Sequence, residues 1–192
     1  MKIFKNITDP ELVAMLRRGA VGVLPTDTLY GIVASTSFPK SIDRLYEVRN
    51  RSSLKGCITL LAGADQARDM IIWDSSTRDI AKKYWPGPVS IVLPIADTTP
   101  EYLHPIDGTL AFRVPDNKNL QTLLWHTGPL FAPSANMAGE KPAATIEEAK
   151  AYFGDTVDFY VDAGDLSGNR PSTLIKPRGD SIEILRGNLP NS

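Results

Sequence analysis

The sequence predicts one α/β domain whose sheet is mixed rather than purely doubly wound. Three observations carry this. Short apolar, β-branched runs alternate with amphipathic stretches through the first two thirds of the chain, and strand-like runs dominate the end. The 192 residues are 42% hydrophobic and 22% charged, a balance that lets a chain of this length bury a core of its own. No internal repeat, low-complexity tract or linker interrupts it, so residues 1–192 read as a single domain.

The elements follow in order. Thr8-Asp9-Pro10-Glu11 has the form of a capping box, with Thr8 as cap and Glu11 three residues on. Leu12, Met15 and Leu16 then give a helical stripe that Gly19 ends. Val21 to Leu24 reads as a short buried strand stopped by Pro25, and Pro25 to Gly31 as a loop. A helix is expected from Lys40 to Arg49, with Ile42, Leu45 and Tyr46 facing inward, and a strand from Ile58 to Leu61. Two helical stretches, Ala64 to Ile72 and Ser76 to Tyr84, precede Trp85-Pro86-Gly87-Pro88, which must break any helix. Val89 to Ile95 and Leu110 to Val114 read as strands, and Lys118 to His126 as a helix ending at Gly128. Strand-like Leu130-Phe131-Ala132 leads into Pro133-Ser134-Ala135-Asn136. Thr145 and Glu148 form a second capping box, for a helix ending near Phe153. Phe159 to Val161, Thr173 to Ile175 and Ile182 to Leu185 close the chain as strands.

Composition removes several classes of function. With 21 basic and 22 acidic residues the net charge is −1, so no global basic field points to nucleic acid and any anion site must be local. Cys57 is the single cysteine; no intrachain disulfide can form, which fits a reducing compartment. The first residues carry no apolar signal region, and the apolar runs are too short to span a bilayer. A cytoplasmic location with no membrane partner is expected. Neither a Walker A pattern nor Gly-x-Gly-x-x-Gly is present. One cysteine and two histidines supply no transition-metal cluster, so no protein metal site is expected. His126 at a helix end and His104 before Pro105 argue against a histidine-dependent mechanism.

What remains is a set of polar segments at strand ends, where α/β sheets bind ligands. Pro25 to Gly31 brings two hydroxyls, a carboxylate and a phenol out of a buried strand, although Thr and Asp also serve turns. Arg49, Arg51 and Lys55 form a cationic run without an acid; it suits a phosphate chain, or a solvated helix end. Arg113 ends an apolar strand, where a charge needs a ligand or a partner such as Asp116. Pro133 to Gly139 offers a hydroxyl, an amide and turn N–H groups to an oxyanion, or is an ordinary turn. Ser167 to Leu174 is a flexible loop entering a strand, and Arg186 ends the last one.

These segments, in this order, resemble the YrdC-type threonylcarbamoyl-AMP synthase family. The matching stretches are Pro25–Gly31, Arg51–Gly56, Trp85–Pro88, Ala111–Pro115, Pro133–Asn136, Pro171–Leu174 and Leu185–Gly187, so the likeness covers roughly Leu12 to Asn188. Each motif alone is unspecific, and seven in order are specific. The resemblance implies a twisted open sheet around a concave basic cavity, in the short single-domain form. It implies synthesis of threonylcarbamoyl-AMP from L-threonine, bicarbonate and ATP, with release of pyrophosphate, for the t6A modification of tRNA by downstream transfer proteins. Magnesium would ride mainly on the ATP phosphates. Carried over by position, Thr28, Tyr30, Arg113 and Ser172 would meet the threonine. Arg51, Lys55, Thr109, Ser134, Asn136 and Arg186 would serve the nucleotide, and Arg49, Arg51 and Lys55 the catalytic step. The family usually has Lys at Arg49, Pro at Ser52 and, in some members, His at Leu60. A divergent, non-catalytic paralogue that binds double-stranded RNA or tRNA is the alternative. A carbamoyl-adenylate former is a third reading, although such domains sit in much larger chains.

Overall fold

Among the described residues the apolar runs assemble into one ten-stranded sheet. The computed structural model describes residues 1–50, 57–105, 107–179 and 181–190. The strands are β1 (Lys2–Phe4), β2 (Gly22–Pro25), β3 (Tyr30–Ser35), β4 (Ile58–Leu60), β5 (Val89–Pro94), β6 (Thr109–Arg113), β7 (Leu130–Phe131), β8 (Phe159–Val161), β9 (Thr173–Arg178) and β10 (Ser181–Arg186). Their spatial order is β1-β8-β2-β3-β7-β4-β6-β5-β9-β10. Parallel pairs (β1–β8, β8–β2, β4–β6, β5–β9) stand in one sheet with antiparallel ones (β2–β3, β3–β7, β7–β4, β6–β5, β9–β10), so the sheet is mixed, as the pattern of runs predicts.

Among the described residues five α-helices cover it: α1 (Pro10–Leu16), α2 (Pro39–Val48), α3 (Ser75–Tyr84), α4 (Lys118–Thr127) and α5 (Ile146–Phe153). Local chemistry fixes their ends. Asp74, Asn117 and Thr145 each accept a backbone N–H from the first turn, and Gly128 ends α4 with φ of 79°. The first cap differs from expectation. Pro10 occupies the first helical position, which suits its fixed φ, so the cap is Asp9, whose Oδ1 accepts the Glu11 N–H, and not Thr8. The helix expected over Ala64 to Ile72 is also shorter. Only a 3-10 turn, Ala64–Ala67, forms, because Ile71 bridges to Ile95 and the Ile72 N–H donates to Pro94 O.

The two halves of the sheet are buried differently, and this positions the site. β2 and β3 are covered on both faces: Val23, Tyr30, Ile32 and Ala34 join one apolar cluster, and Leu24 and Val33 join another with α1 and α4. All six residues of β3 are buried. The close approach of β8 leaves no room for a side chain at Gly22, where a Cβ would lie 2.5 Å from Phe159 O. β5 and β6, in contrast, send Ile91, Leu93, Leu110 and Phe112 into the core. They leave Val92, Thr109 and Ala111 half-buried on the opposite, open face.

Candidate active site

Strand alternation puts Thr109, Ala111 and Arg113 on the open face of β6. Arg113, the last of them, is only 3% exposed, so its charge requires local partners. Asp27 Oδ1 lies 3.0 Å from Nη2. The same Nη2 reaches Thr26 and Thr28 Oγ1 at 3.4 Å each, and Nη1 reaches Ser90 Oγ at 3.3 Å. Asp27, from the turn after β2, is thus the partner, where the sequence offered Asp116. Burial pushes the Asp27 carboxyl up against the pull of Arg113, and burial lowers the Arg113 guanidinium in turn: both charges stand in a dry environment. The Arg113 Nε is buried with no hydrogen-bond partner among the described residues, a donor left available to a ligand.

A chain of hydroxyls extends this centre across the sheet. Ser90 Oγ, on the neighbouring β5, donates to Ser172 Oγ at 3.0 Å. Arg186 donates through Nη2 to Ser172 O (3.0 Å) and Oγ (3.1 Å). The register shift between Ile184 and Arg186 inserts an extra residue just before this side chain, the kind of irregularity that re-aims a residue at a sheet edge. Asp27, Arg113, Ser90, Ser172 and Arg186 therefore form one continuous polar line. Sequence reasoning missed Ser90, and it counted the Asp27 carboxylate in a candidate segment without pairing it with Arg113. The available signal for Ser90 was the one that exposed Arg113, a polar residue inside an apolar strand.

The Pro133–Asn136 turn forms the facing wall. It runs on from β7 alongside β3, where the Ile32 N–H donates to Pro133 O (3.0 Å) and the Ala135 N–H to Tyr30 O (2.9 Å). Ser134 Oγ donates to Asn136 Oδ1 at 2.6 Å, and Asn136 Nδ2 donates to Met137 O and Glu140 O, each at 2.8 Å. Arg49, 2% exposed, braces the turn: Nε donates to Asn136 O at 3.1 Å, and its own carbonyl accepts the Ala138 N–H at 3.0 Å.

Thr28, Tyr30, Arg113, Ser134, Ser172 and Arg186 are thereby brought to one small cavity of about 90 Å³. A cleft of about 560 Å³ adjoins it, sharing Thr28, Pro171 and Arg186 and adding Asp27 and Arg170. A larger cavity lies elsewhere, between the Ala62–Arg68 segment and α3; the site is assigned here because the convergent polar groups are here. Three expected residues stand apart, and a fourth, Tyr30, lines the cavity with its hydroxyl engaged elsewhere. The Tyr30 phenol is committed to the loop before β9, donating to Gly164 O and accepting the Ala163 N–H, both at 2.9 Å. Thr109 donates to Asp107 Oδ2 (2.9 Å) at the opposite end of β6, four strand steps or roughly 13 Å from Arg113. Asn136 and Arg49 are absent from the residues lining the cavity and hold its wall from behind. Arg51 and Lys55 lie outside the described residues. Neither His104 nor His126 lines the cavity or the cleft.

Comparison with known proteins bears on the family and the fold. The Sua5/YciO/YrdC family profile, described as telomere recombination, matches residues 14–187. A threonylcarbamoyl-AMP synthase of Marinobacter nauticus is 33% identical over 161 residues, 82% of this chain and 84% of that protein. One of Pseudomonas fluorescens is 32% identical over 176 residues, 91% of each chain. Among solved structures, Escherichia coli YciO superposes with a TM-score of 0.85 at 23% identity, covering 97% of this chain and 95% of that one. Pyrococcus abyssi Sua5 complexed with L-threonine superposes with a TM-score of 0.87 at 23% identity, covering 97% of this chain and 57% of that one. On the extent of these matches, the chain belongs to the Sua5/YciO/YrdC family.

Proposed function

We propose that this protein is an L-threonylcarbamoyladenylate synthase, a nucleotidyltransferase that joins L-threonine, bicarbonate and ATP and supplies the product for tRNA t6A modification. The observation that carries the reading is the pair of arginines, Arg113 on Ser90 and Arg186 on Ser172, joined by the Ser90–Ser172 hydrogen bond and lining one cavity with Ser134. Two cations flanking a row of hydroxyls suit a substrate with a carboxylate and a phosphate. The names of the relatives favour the enzyme over a non-catalytic, RNA-binding paralogue.

In this reading the Arg113 guanidinium receives the threonine carboxylate, with Thr28 and Ser172 beside it. Ser134 and Arg186 hold the nucleotide, and Arg51 and Lys55 receive its phosphates. Thr109 would be reached by the part of the nucleotide farthest from Arg113. The threonine amine and bicarbonate give a carbamate and water. A carbamate oxygen attacks the α-phosphorus, the new P–O bond forms as the bond to the β-phosphate oxygen breaks, and pyrophosphate leaves with that electron pair. Positioning and charge neutralisation dominate such a transfer, which fits a site built from arginines and hydroxyls rather than histidine. Among the described residues no group of three or more His, Cys, Asp or Glu gathers as a metal cage; magnesium would enter on the triphosphate, where it neutralises charge.

The test is pyrophosphate release by the purified protein with ATP, magnesium and bicarbonate, with and without L-threonine. Release is expected only with threonine, and weakly with serine. Release that ignores threonine, or none with any amino acid, would overturn the proposal.

A further inference from the structure

The polar line around Arg113 leaves unexplained the cavity of about 640 Å³ built by the Ala62–Arg68 segment, α3 and the turn after it. Its residues are distinct from those lining the Arg113 cavity and the adjoining cleft. Two indoles form part of its wall. Trp73 Nε1 donates to Ala67 O (3.4 Å) and Trp85 Nε1 to Val89 O (2.8 Å). Both polar handles are tied to the backbone, which fixes the rings in place. Three exposed cations join them, Arg68, Arg78 and Lys82, against one carboxylate, Asp65. None of the three cations forms an ion pair among the described residues. Arg78 lies over the Trp73 ring, 5.4 Å from its centroid, so the aromatic surface also holds a cation in place.

We propose that this cavity is a second nucleotide-binding site, separate from the Arg113 centre and independent of the reaction assigned to it. A base stacks on the indole surface, and its phosphate is received by Arg68, Arg78 and Lys82. The chemistry selects this class. Three cations without a carboxylate partner among the described residues suit a phosphate, a fixed indole surface suits a base, and a nucleotide uses both. The volume is that of sites which enclose ligands of this size. A free nucleotide and a nucleotide within a single-stranded RNA present the same base and phosphate.

The experiment uses the full chain with Trp125→Phe. Trp125 is 73% exposed and one of three tryptophans, so the remaining indole fluorescence comes from Trp73 and Trp85. The probes are adenosine 5′-monophosphate and an eight-nucleotide oligoadenylate. Saturable quenching is expected. In Arg68→Ser with Lys82→Ser, binding should weaken by at least about tenfold, because two charge-assisted contacts are lost, while pyrophosphate release is unchanged. Mononucleotide binding as tight as the oligomer's assigns a free nucleotide. Tighter oligomer binding that falls steeply with salt assigns an RNA chain. No quenching by either probe, or quenching unaltered in the double variant, overturns the proposal.

Discussion

Two arginines are almost equally buried, Arg113 at 3% and Arg49 at 2% exposure, yet they are held in different ways. Arg113 meets a carboxylate and three hydroxyls, all on side chains. Side chains can yield to an incoming ligand, and the Arg113 Nε has no hydrogen-bond partner among the described residues. Arg49 is bonded into a backbone turn through Asn136 O and through its own carbonyl, and reaches Asn136 Oδ1 at 3.4 Å. Exchanging those contacts for a substrate would undo the turn that carries Ser134. Burial alone therefore does not separate a residue that binds from one that positions. The identity of the partners does.

The largest expected effect falls on the first arginine. Arg113→Ala should lower threonine-dependent pyrophosphate release by at least about a hundredfold, the scale of losing one partner from a buried charge pair. It should also cost about 3–5 kcal/mol of stability, because the Asp27 carboxylate is left buried without its cation. Adding Asp27→Asn to that variant should restore much of the stability, seen in the urea midpoint, and none of the turnover. Turnover near wild type in either protein would remove Arg113 from the substrate site.

Asp27→Asn alone sharpens the point through pH. Because burial raises the Asp27 carboxyl above its ordinary value of 3.8, the folded chain keeps this proton where the unfolded chain has released it. This contribution to stability is full below that ordinary value and is lost as pH rises through the raised folded value. The difference in urea midpoint between wild type and Asp27→Asn should therefore shift against wild type across that acid window. A difference flat with pH would mean that the pair with Arg113 balances the burial, and one that shifts toward wild type as pH rises would mean that the pair outweighs it.

How much of this the sequence could reveal depended on range. Arg113 was readable because a charge at the end of an apolar strand needs an explanation wherever the strand lies. Its setting was not. Ser90 meets Ser172 across 82 residues, and only the order β6-β5-β9 brings them together. β3 escaped for a related reason. With α2 on one side and the α1–α4 layer on the other, its six residues are all buried, so Tyr30 to Ser35 shows no alternation of apolar and polar positions. Tyr30, assigned to a loop, consequently opens a strand and spends its phenol on residues 163 and 164. β1, three residues long at the sheet edge, was too short to signal itself.

The smallest expected effect tests the other half of the comparison. Arg49→Lys keeps the positive charge but replaces a planar fork with a single ammonium, which cannot reproduce the contacts made by Nε and Nη2. A loosened turn would displace Ser134 and leave the Arg113 centre untouched. The KM for ATP should rise by about fivefold, with the KM for threonine unchanged, and stability should fall by about 1–2 kcal/mol, the scale of one or two buried hydrogen bonds. If instead kcat collapses while both KM values hold, Arg49 acts on the reacting phosphate itself. The two buried arginines would then be two catalytic groups rather than a binder and a brace.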